Sequence, residues 1–276
     1  MIADAADPAG IFAANRAVGR IALSVAETGG LTRLTRVHEA GSLRVRFPGG
    51  PSPELEAVLL NTAGGVAGGD RFDLAVEAGP GARLLVTSTS AEKVYRSIGP
   101  ASQVSVRLAV GPGGALAWLP QETILFDHAR LERTIDIDLA AGASLIAAEA
   151  LIFGRTAMGE RVTAGALTDR WRLRRDGRLL FAETVQLGGA IADRLAEPAV
   201  LAGGHAVATV LIVPGDEAVV GAVRACAELR GEVGISAWNG FALARLCARD
   251  GAALRHDLVA VLTALRGRSL PRLWLN

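Results

Sequence analysis

The chain has 276 residues, of which 50% are hydrophobic and only 21% charged, a balance that excludes intrinsic disorder. Lys and Arg number 29 against 28 Asp and Glu, so a net charge of +1 provides no bulk attraction toward nucleic acid or an anionic membrane. Two cysteines, Cys226 and Cys247, form no CxxC pair and outline neither a disulfide framework nor a thiolate zinc site, which fits two thiols in a reducing cytosol.

The first stretch, from Met1 to Arg20, carries Asp4 and Asp7 where a secretory signal would be positive and has no apolar run of the required length. The most apolar run, Val207 to Val213, is far shorter than the ~20 residues that span a bilayer. A cytoplasmic protein with no membrane segment is expected, with residues 1–16 as a loose arm. Short runs with partial period-two alternation then follow at Arg20–Val25, Leu31–His38, Leu43–Phe47, Glu56–Leu60, Phe72–Val76 and Leu84–Thr89, separated by Gly and Pro. That is an all-β pattern. Gly contributes 33 residues, well above the usual ~7%, as many tight turns require.

Three segments repeat: Val76–Leu84, Leu108–Leu116 and Ile137–Leu145 each read as strand, glycine turn, strand. Ala82, Ala115 and Ala143 mark a spacing near 30 residues, which suggests coils stacked beside one another. Asp176-Gly177 between the apolar arms Leu173 and Leu179 predicts a type I′ hairpin. From Asp216 to Leu229 the apolar residues Val219, Val223, Cys226 and Leu229 take helical spacing. Glu232 to Arg249 predicts a second hairpin at Asn239-Gly240. Asp250 is positioned to cap a last helix, about Ala252 to Leu265, with Leu254, Leu258, Val261, Leu262 and Leu265 on one face. The expected architecture is one mainly β domain over 1–276: a superhelical, solenoid-like body of strands and hairpins over 17–215, then two helices flanking a hairpin over 216–276.

No GxSxG, HExxH or GxxxxGK[ST] motif is present, and His38, His128, His205 and His256 are isolated in sequence. Four features remain. Asn61-Thr62-Ala63-Gly64-Gly65-Val66-Ala67-Gly68-Gly69-Asp70 packs four glycines into six residues, requiring positive φ or close backbone approach, and ends on a carboxylate. It lacks the Lys-Ser/Thr of a phosphate loop. In Glu92-Lys93-Val94-Tyr95-Arg96-Ser97, the only lysine and the only tyrosine of the chain share a strand face with Ser97. Pro120-Gln121-Glu122 interrupts an apolar run. Glu149 interrupts another, closed by Gly154-Arg155-Thr156-Ala157-Met158-Gly159-Glu160, where Arg155 has Glu149 and Glu160 as candidate partners. Carboxylates entering apolar surroundings need a partner, water or a cation.

Taken in order, these segments resemble the UreD/UreH family of urease accessory proteins. The matching pieces are Gly41-Ser42-Leu43-Arg44-Val45, the 61–70 glycine segment, Lys93-Val94-Tyr95-Arg96, Leu119-Pro120-Gln121-Glu122-Thr123-Ile124-Leu125-Phe126, the 154–160 segment and Pro271-Arg272-Leu273-Trp274. One departure is Thr87-Ser88-Thr89-Ser90, where the family usually carries a Thr-Gln pair. The resemblance implies a non-enzymatic role: an open superhelical β body that bridges apo-urease to a helical accessory protein and a nickel-carrying GTPase. It also implies that Ni²⁺ crosses through an internal channel and that no cofactor is tightly bound. Asp70, Glu122 and Glu160 are carried over as lining groups, and the apolar strand adds Glu149. Lys93, Tyr95, Arg96 and Arg155 become orienting or contact groups, and Pro271, Arg272 and Trp274 a surface for the helical partner. Exposed apolar surface is expected to accompany the role.

A competing reading is a β-solenoid carbohydrate-active enzyme that uses two carboxylates as acid and base. A third is an interaction module with no metal path. Tryptophans gathered along one groove would favour the enzyme, and a polar passage from one side to the other would favour ion transfer.

Overall fold

The computed structural model describes residues 16–275. Its strands are β1 (Val18–Thr28), β2 (Leu31–Gly41), β3 (Leu43–Arg46), β4 (Leu55–Asn61), β5 (Arg71–Ala78), β6 (Arg83–Ser88), β7 (Glu92–Val94), β8 (Ser102–Val110), β9 (Ala115–Leu119), β10 (Thr123–Leu125), β11 (Arg130–Leu139), β12 (Ser144–Phe153), β13 (Gly165–Arg175), β14 (Arg178–Gly189), β15 (Ala206–Val213), β16 (Glu232–Trp238) and β17 (Phe241–Ala248). The helices are α1 (Ile191–Ala196), α2 (Glu217–Arg224) and α3 (Gly251–Arg266), with 3₁₀ turns at Thr156–Met158 and Arg272–Trp274.

The expected solenoid is present, with about 4 turns. Strands β1, β5, β8, β11 and β13 pair in parallel and, with β2 and β14 antiparallel at the edges, form a first sheet in the order β14-β13-β11-β8-β5-β1-β2. Strands β4, β6, β9 and β12 form the parallel heart of a second sheet, ordered β16-β17-β15-β12-β9-β6-β4-β3. A narrow third side is a ladder of Val66, β7, β10 and the end of β12. The quoted repeats stack in register, Val76 beside Leu108 beside Ile137 and Arg83 beside Ala115 beside Ser144. The alanines 82, 115 and 143 are therefore one residue out of step: Ala115 pairs with Arg83 and Ser144, a spacing of 32 and then 29. Gly81, Gly113 and Gly142 occupy the same turn in each coil at φ +68°, +65° and +71°, where a side chain would be strained.

Alternation along each strand builds two apolar layers. One lies between the sheets, with Ile21, Leu23, Val76, Leu108, Ile135, Ile137, Leu145 and Leu173 all buried. The other lies between the outer face of the second sheet and α2 and α3, where Leu246, Leu254, Leu258, Val261, Leu262 and Trp274 meet. Each fully buried aliphatic side chain stabilises the fold by roughly 1.5–3 kcal/mol. The outer face of the first sheet is polar instead, with Arg107 near Asp73 and Arg174 near Asp136.

Both hairpins form, with Asp176-Gly177 and Asn239-Gly240 at positive φ. The second hairpin pairs with β15 and so extends the second sheet. Asp250 accepts from the Ala253 amide at 2.8 Å and caps α3. Two details differ from the sequence expectation. Helix α2 ends at Arg224, before Cys226 and Leu229, because Asp257 of α3 draws the amides of Arg230 and Gly231 onto its carboxylate at 2.8 and 2.7 Å and turns the chain into β16. A short helix, α1, was not visible in the pattern, since its six residues bury only Ile191 and Leu195. The arm expected over residues 1–16 lies outside the described residues except for Arg16, which donates to the Gly68 carbonyl at 2.9 Å.

Gly41 carries the chain from one sheet to the other at φ +62°, and a Cβ there would lie 1.6 Å from the Val18 carbonyl oxygen. Gly41→Ala is expected to lower the unfolding free energy by roughly 2–3 kcal/mol in urea titration. Gly177→Ala, at φ +76° in open space, should cost only about 1 kcal/mol.

Candidate functional site

The inward phase of each strand is apolar, with exceptions at one level of the stack. In β11 the inward residues are Leu131, Arg133, Ile135, Ile137 and Leu139; in β13 they are Leu167, Asp169, Trp171 and Leu173. Register places Arg133 directly beside Asp169. Opposite them, on β12 of the second sheet, Glu149 points inward between Ala147 and Leu151. These three charged residues are each at most 6% exposed. Arg133 donates through Nε and Nη2 to the two oxygens of Asp169 at 3.0 and 2.7 Å, and through Nη1 to Glu149 Oε2. Indole N–H groups add a donor to each acid: Trp118 donates at 2.8 Å to Glu149 Oε1, the oxygen that Arg133 leaves free, and Trp171 at 3.4 Å to Asp169 Oδ2, which it shares with Arg133. Burial pushes the Glu149 carboxyl above its ordinary range, with the Arg133 charge and the Trp118 bond opposing. Burial pulls the Arg133 guanidinium down, but Asp169 and Glu149 outweigh it and keep it charged.

Two interior cavities meet at this cluster. The first, about 280 Å³, lies between the sheets and is lined by Asn61, Gly64, Gly65, Ser88–Val94, Trp118, Gln121, Arg133 and Glu149 among apolar residues of both sheets. Its mouth is polar: Asn61 Nδ2 donates to Glu92 at 3.1 Å, and Thr89, Ser90 and Lys93 are exposed beside them. Burial raises the Glu92 carboxyl, against the Asn61 bond that lowers it. The second cavity, about 140 Å³, is lined by Arg133, Glu149, Asp169, Trp171, Glu183, Thr209 and Arg245 among others. Arg245 bridges Thr209 at 2.6 Å and Glu183, both side chains of this last pair being part-exposed.

Of the four expected lining carboxylates, only Glu149 borders these cavities. Asp70 closes the glycine segment, accepting from the Ala17 amide at 2.8 Å and the Ala67 amide at 2.7 Å. Glu122 takes Arg255 Nη1 at 2.8 Å. Glu160 takes Arg155 at 2.7 and 3.0 Å, which resolves the choice left for Arg155 in favour of Glu160 over Glu149. Glu122 and Arg155 share a wide outer groove of about 720 Å³ with Met158 and Arg255.

The glycine segment owes its composition to close packing. A Cβ on Gly65 would lie 2.4 Å from the Tyr95 ring, and one on Gly68 would lie 1.9 Å from Ser97 Oγ. Tyr95 donates to the Gly64 carbonyl at 2.8 Å and meets Phe126 edge-on at 5.2 Å, while the Arg155 guanidinium stacks 4.1 Å over the same Phe126. Lys93, Tyr95 and Arg96 are exposed along this third side, as a contact role needs. The C-terminal surface needs correction. Trp274 is only 2% exposed, donating to Thr87 Oγ1 and the Leu119 carbonyl, and Pro271 is buried with it; among the described residues of this tail, Arg272 and Leu275 are exposed and Leu273 is half-buried. Trp274 plugs the second core because its indole finds two acceptors there. The Ser88–Ser90 stretch that departs from the family pattern lies on the wall of the first cavity.

Arg133, Asp169, Glu92 and Glu183 were not singled out from sequence. The first two were within reach: in Leu-Glu-Arg-Thr-Ile-Asp-Ile-Asp-Leu and Leu-Thr-Asp-Arg-Trp-Arg-Leu, period two places Arg133 and Asp169 in the apolar phase. Three of the four tryptophans (Trp118, Trp171, Trp274) are buried at 2–3%, so they form no aromatic-lined groove of the kind a carbohydrate enzyme needs.

A family model described as UreD urease accessory protein matches residues 17–275. Among curated proteins, one from Rhodopseudomonas palustris (strain BisA53), named urease accessory protein UreD, is 58% identical over 96% of this chain and 93% of its own. Another from R. palustris (strain ATCC BAA-98 / CGA009), with the same name, is 59% identical over 96% and 95%. A third, from Bradyrhizobium diazoefficiens and also so named, is 58% identical over 96% of each chain.

Asp70→Asn replaces an acceptor of two backbone amides by a group that can satisfy only one, so a loss of about 1–3 kcal/mol is expected, with faster hydrogen exchange at Ala17 and the start of β1. Equal exchange in both proteins would refute this role. The Arg155 bond, aided by the Asp127 amide, holds the Glu160 carboxyl below its ordinary 4.5. A depressed acid stabilises the fold above its unfolded value and loses that contribution as pH falls through its folded value. Wild type should therefore lose more stability than Glu160→Gln between about pH 6 and about pH 3.5 in urea titrations.

Proposed function

The chain belongs to the UreD family of urease accessory proteins, and on that premise we propose that it is an adaptor in urease maturation, binding apo-urease together with a helical accessory protein and a nickel-carrying GTPase in the cytoplasm while Ni²⁺ crosses its interior. The observation that carries the passage is the pair of cavities meeting at one carboxylate-bearing wall, with polar mouths at Asn61–Glu92 on one side and Glu183–Arg245 on the other. Ni²⁺ accepts oxygen ligands but is held less firmly by them than by imidazole or thiolate, and the linings offer carboxylates without histidine or cysteine, Glu92 and Glu149 in the first cavity and Glu149, Asp169 and Glu183 in the second. Transit needs binding strong enough to admit the ion and weak enough to release it. Glu92, Glu149 and Glu183 take the lining role. Asp70, Glu122 and Glu160, tied to amides or arginines outside the cavities, hold the scaffold. Lys93, Tyr95, Arg96 and Arg155 form an exposed polar surface on the third side suited to a partner, and Arg272 with Leu275 offers a second at the C-terminus. The same pairing tells against acid–base catalysis, because arginines sit on Glu122, Glu149 and Glu160.

The test is co-production of apo-urease with the accessory set, with and without this chain, reading nickel per urease site. Omission is expected to leave urease nickel-poor, and full loading without the chain would end the proposal. Glu92→Gln should reduce loading several-fold while the complex still assembles on size exclusion; loading equal to wild type would remove Glu92 from the path.

A further inference from the structure

The two cavities do not simply run together. Their common wall is Arg133 with Glu149, and the guanidinium fills the gap between the carboxylates of the two sheets. We propose that Arg133 is the gate of the interior: a tethered cation that occupies the Glu149–Asp169 pair between the cavities and must be displaced for a divalent cation to pass from one to the other. This rests on the reading of an interior nickel path and concerns how that path is closed.

Four observations converge on it. One guanidinium faces two carboxylates, so ionised acids leave a surplus negative charge that favours a second cation arriving from either side. Each acid keeps a donor other than the arginine, Trp118 at 2.8 Å on the Glu149 oxygen that Arg133 leaves free and Trp171 at 3.4 Å on Asp169 Oδ2, so neither acid is left without a partner when the guanidinium leaves. Arg133 lines both cavities, so its long side chain has open volume on either side to swing into. Finally, its strand neighbours on the same face are Leu131 and Ile135, and a well-packed apolar residue at this level would serve stability at least as well as a buried ion triad. A planar fork holding two carboxylates in fixed geometry is what a lysine cannot reproduce.

The gate separates from a merely structural arginine by two measurements on the full chain. Arg133→Lys keeps the charge but holds both acids less firmly. In the complete maturation mixture at limiting Ni²⁺, it should raise the initial rate of nickel transfer to urease at least twofold while the variant melts no higher than wild type. An unchanged or lowered rate in a folded Lys variant would overturn the gate. Arg133→Met vacates the pair, and the protein alone should then gain a Ni²⁺ interaction. Its melting temperature should rise with added NiCl₂ at concentrations that leave wild type unmoved, and the rise should vanish in Arg133→Met/Glu149→Gln/Asp169→Asn. Nickel-dependent stabilisation equal in wild type, single and triple variants would also overturn it. Should Arg133→Met fold only with nickel present, that dependence is itself the predicted gain. A nickel-loaded urease made without this chain would sink the maturation reading but leave the binding measurement on Arg133→Met standing on its own.

Discussion

An arginine held between two carboxylates, at a level of the stack where the neighbouring inward positions are leucine and isoleucine, sets the terms for the rest of this molecule. Removing three charges from water is costly, and their mutual attraction offsets that cost only when the geometry is good and the remaining lone pairs are satisfied. Here both conditions are met by distinct parts of the fold. The parallel register of β11 and β13 sets Arg133 and Asp169 side by side, the facing sheet presents Glu149, and two buried indoles complete the bonding, Trp118 on the free oxygen of Glu149 and Trp171 as a second donor to Asp169 Oδ2. The triad therefore depends on the distance between the sheets, and the sheets are fixed at that distance by the apolar layer above and below it.

The solenoid makes this possible because it repeats a backbone and leaves each rung free to vary. The turns at Gly81, Gly113 and Gly142 are equivalent, and the same alternation fills the layer between the sheets rung after rung. A departure confined to one inward level then creates a local polar centre without disturbing register. The third side is much narrower, with three-residue strands at β7 and β10, and it is where close backbone approach replaces side-chain packing: Gly65 and Gly68 admit Tyr95 and Ser97. Polar groups gather at this corner because short strands leave loops on both sides, and the first cavity opens among them.

Legibility in the sequence followed the range of the interaction. Strands, both hairpins and the cap at Asp250 depend on neighbours within one coil, and alternation, Asp-Gly and Asn-Gly announce them; the stacking joins successive coils, but the recurrence of the same glycine turn about every 30 residues announces it too. The pairing of Arg155 with Glu160 was within reach for the same reason, five residues apart. What was not legible joins distant segments: Glu149 with Arg133 across the sheets, Arg245 with Glu183 over 62 positions, and Trp274 with Thr87. An apolar stretch interrupted by an acid reveals that the acid needs a partner but not which one. Trp274 misled because a terminal aromatic reads equally well as a surface anchor or a plug, and only the acceptors at Thr87 and Leu119 distinguish them. Glu122 misled similarly, since its arginine lies in α3, 133 residues away.

The same long-range ties explain why the body can present one polar face and one covered face. The outer side of the second sheet is apolar and is sealed by α2, α3 and the C-terminal turn, with Arg255 joining Glu122, Gln121 and the carbonyls of Leu273 and Trp274 into one corner. The outer side of the first sheet carries charges and stays open to water. Among the described residues, large exposed apolar side chains include Ile98 and Met158 on the third side, Val18, Leu34 and Val37 on β1 and β2, and Leu275 at the tail. A body built this way separates two regions: exposed side chains lie on the open face and in the loops and tail at its corners, while the layer between the sheets holds a buried charged cluster bordered by the two cavities.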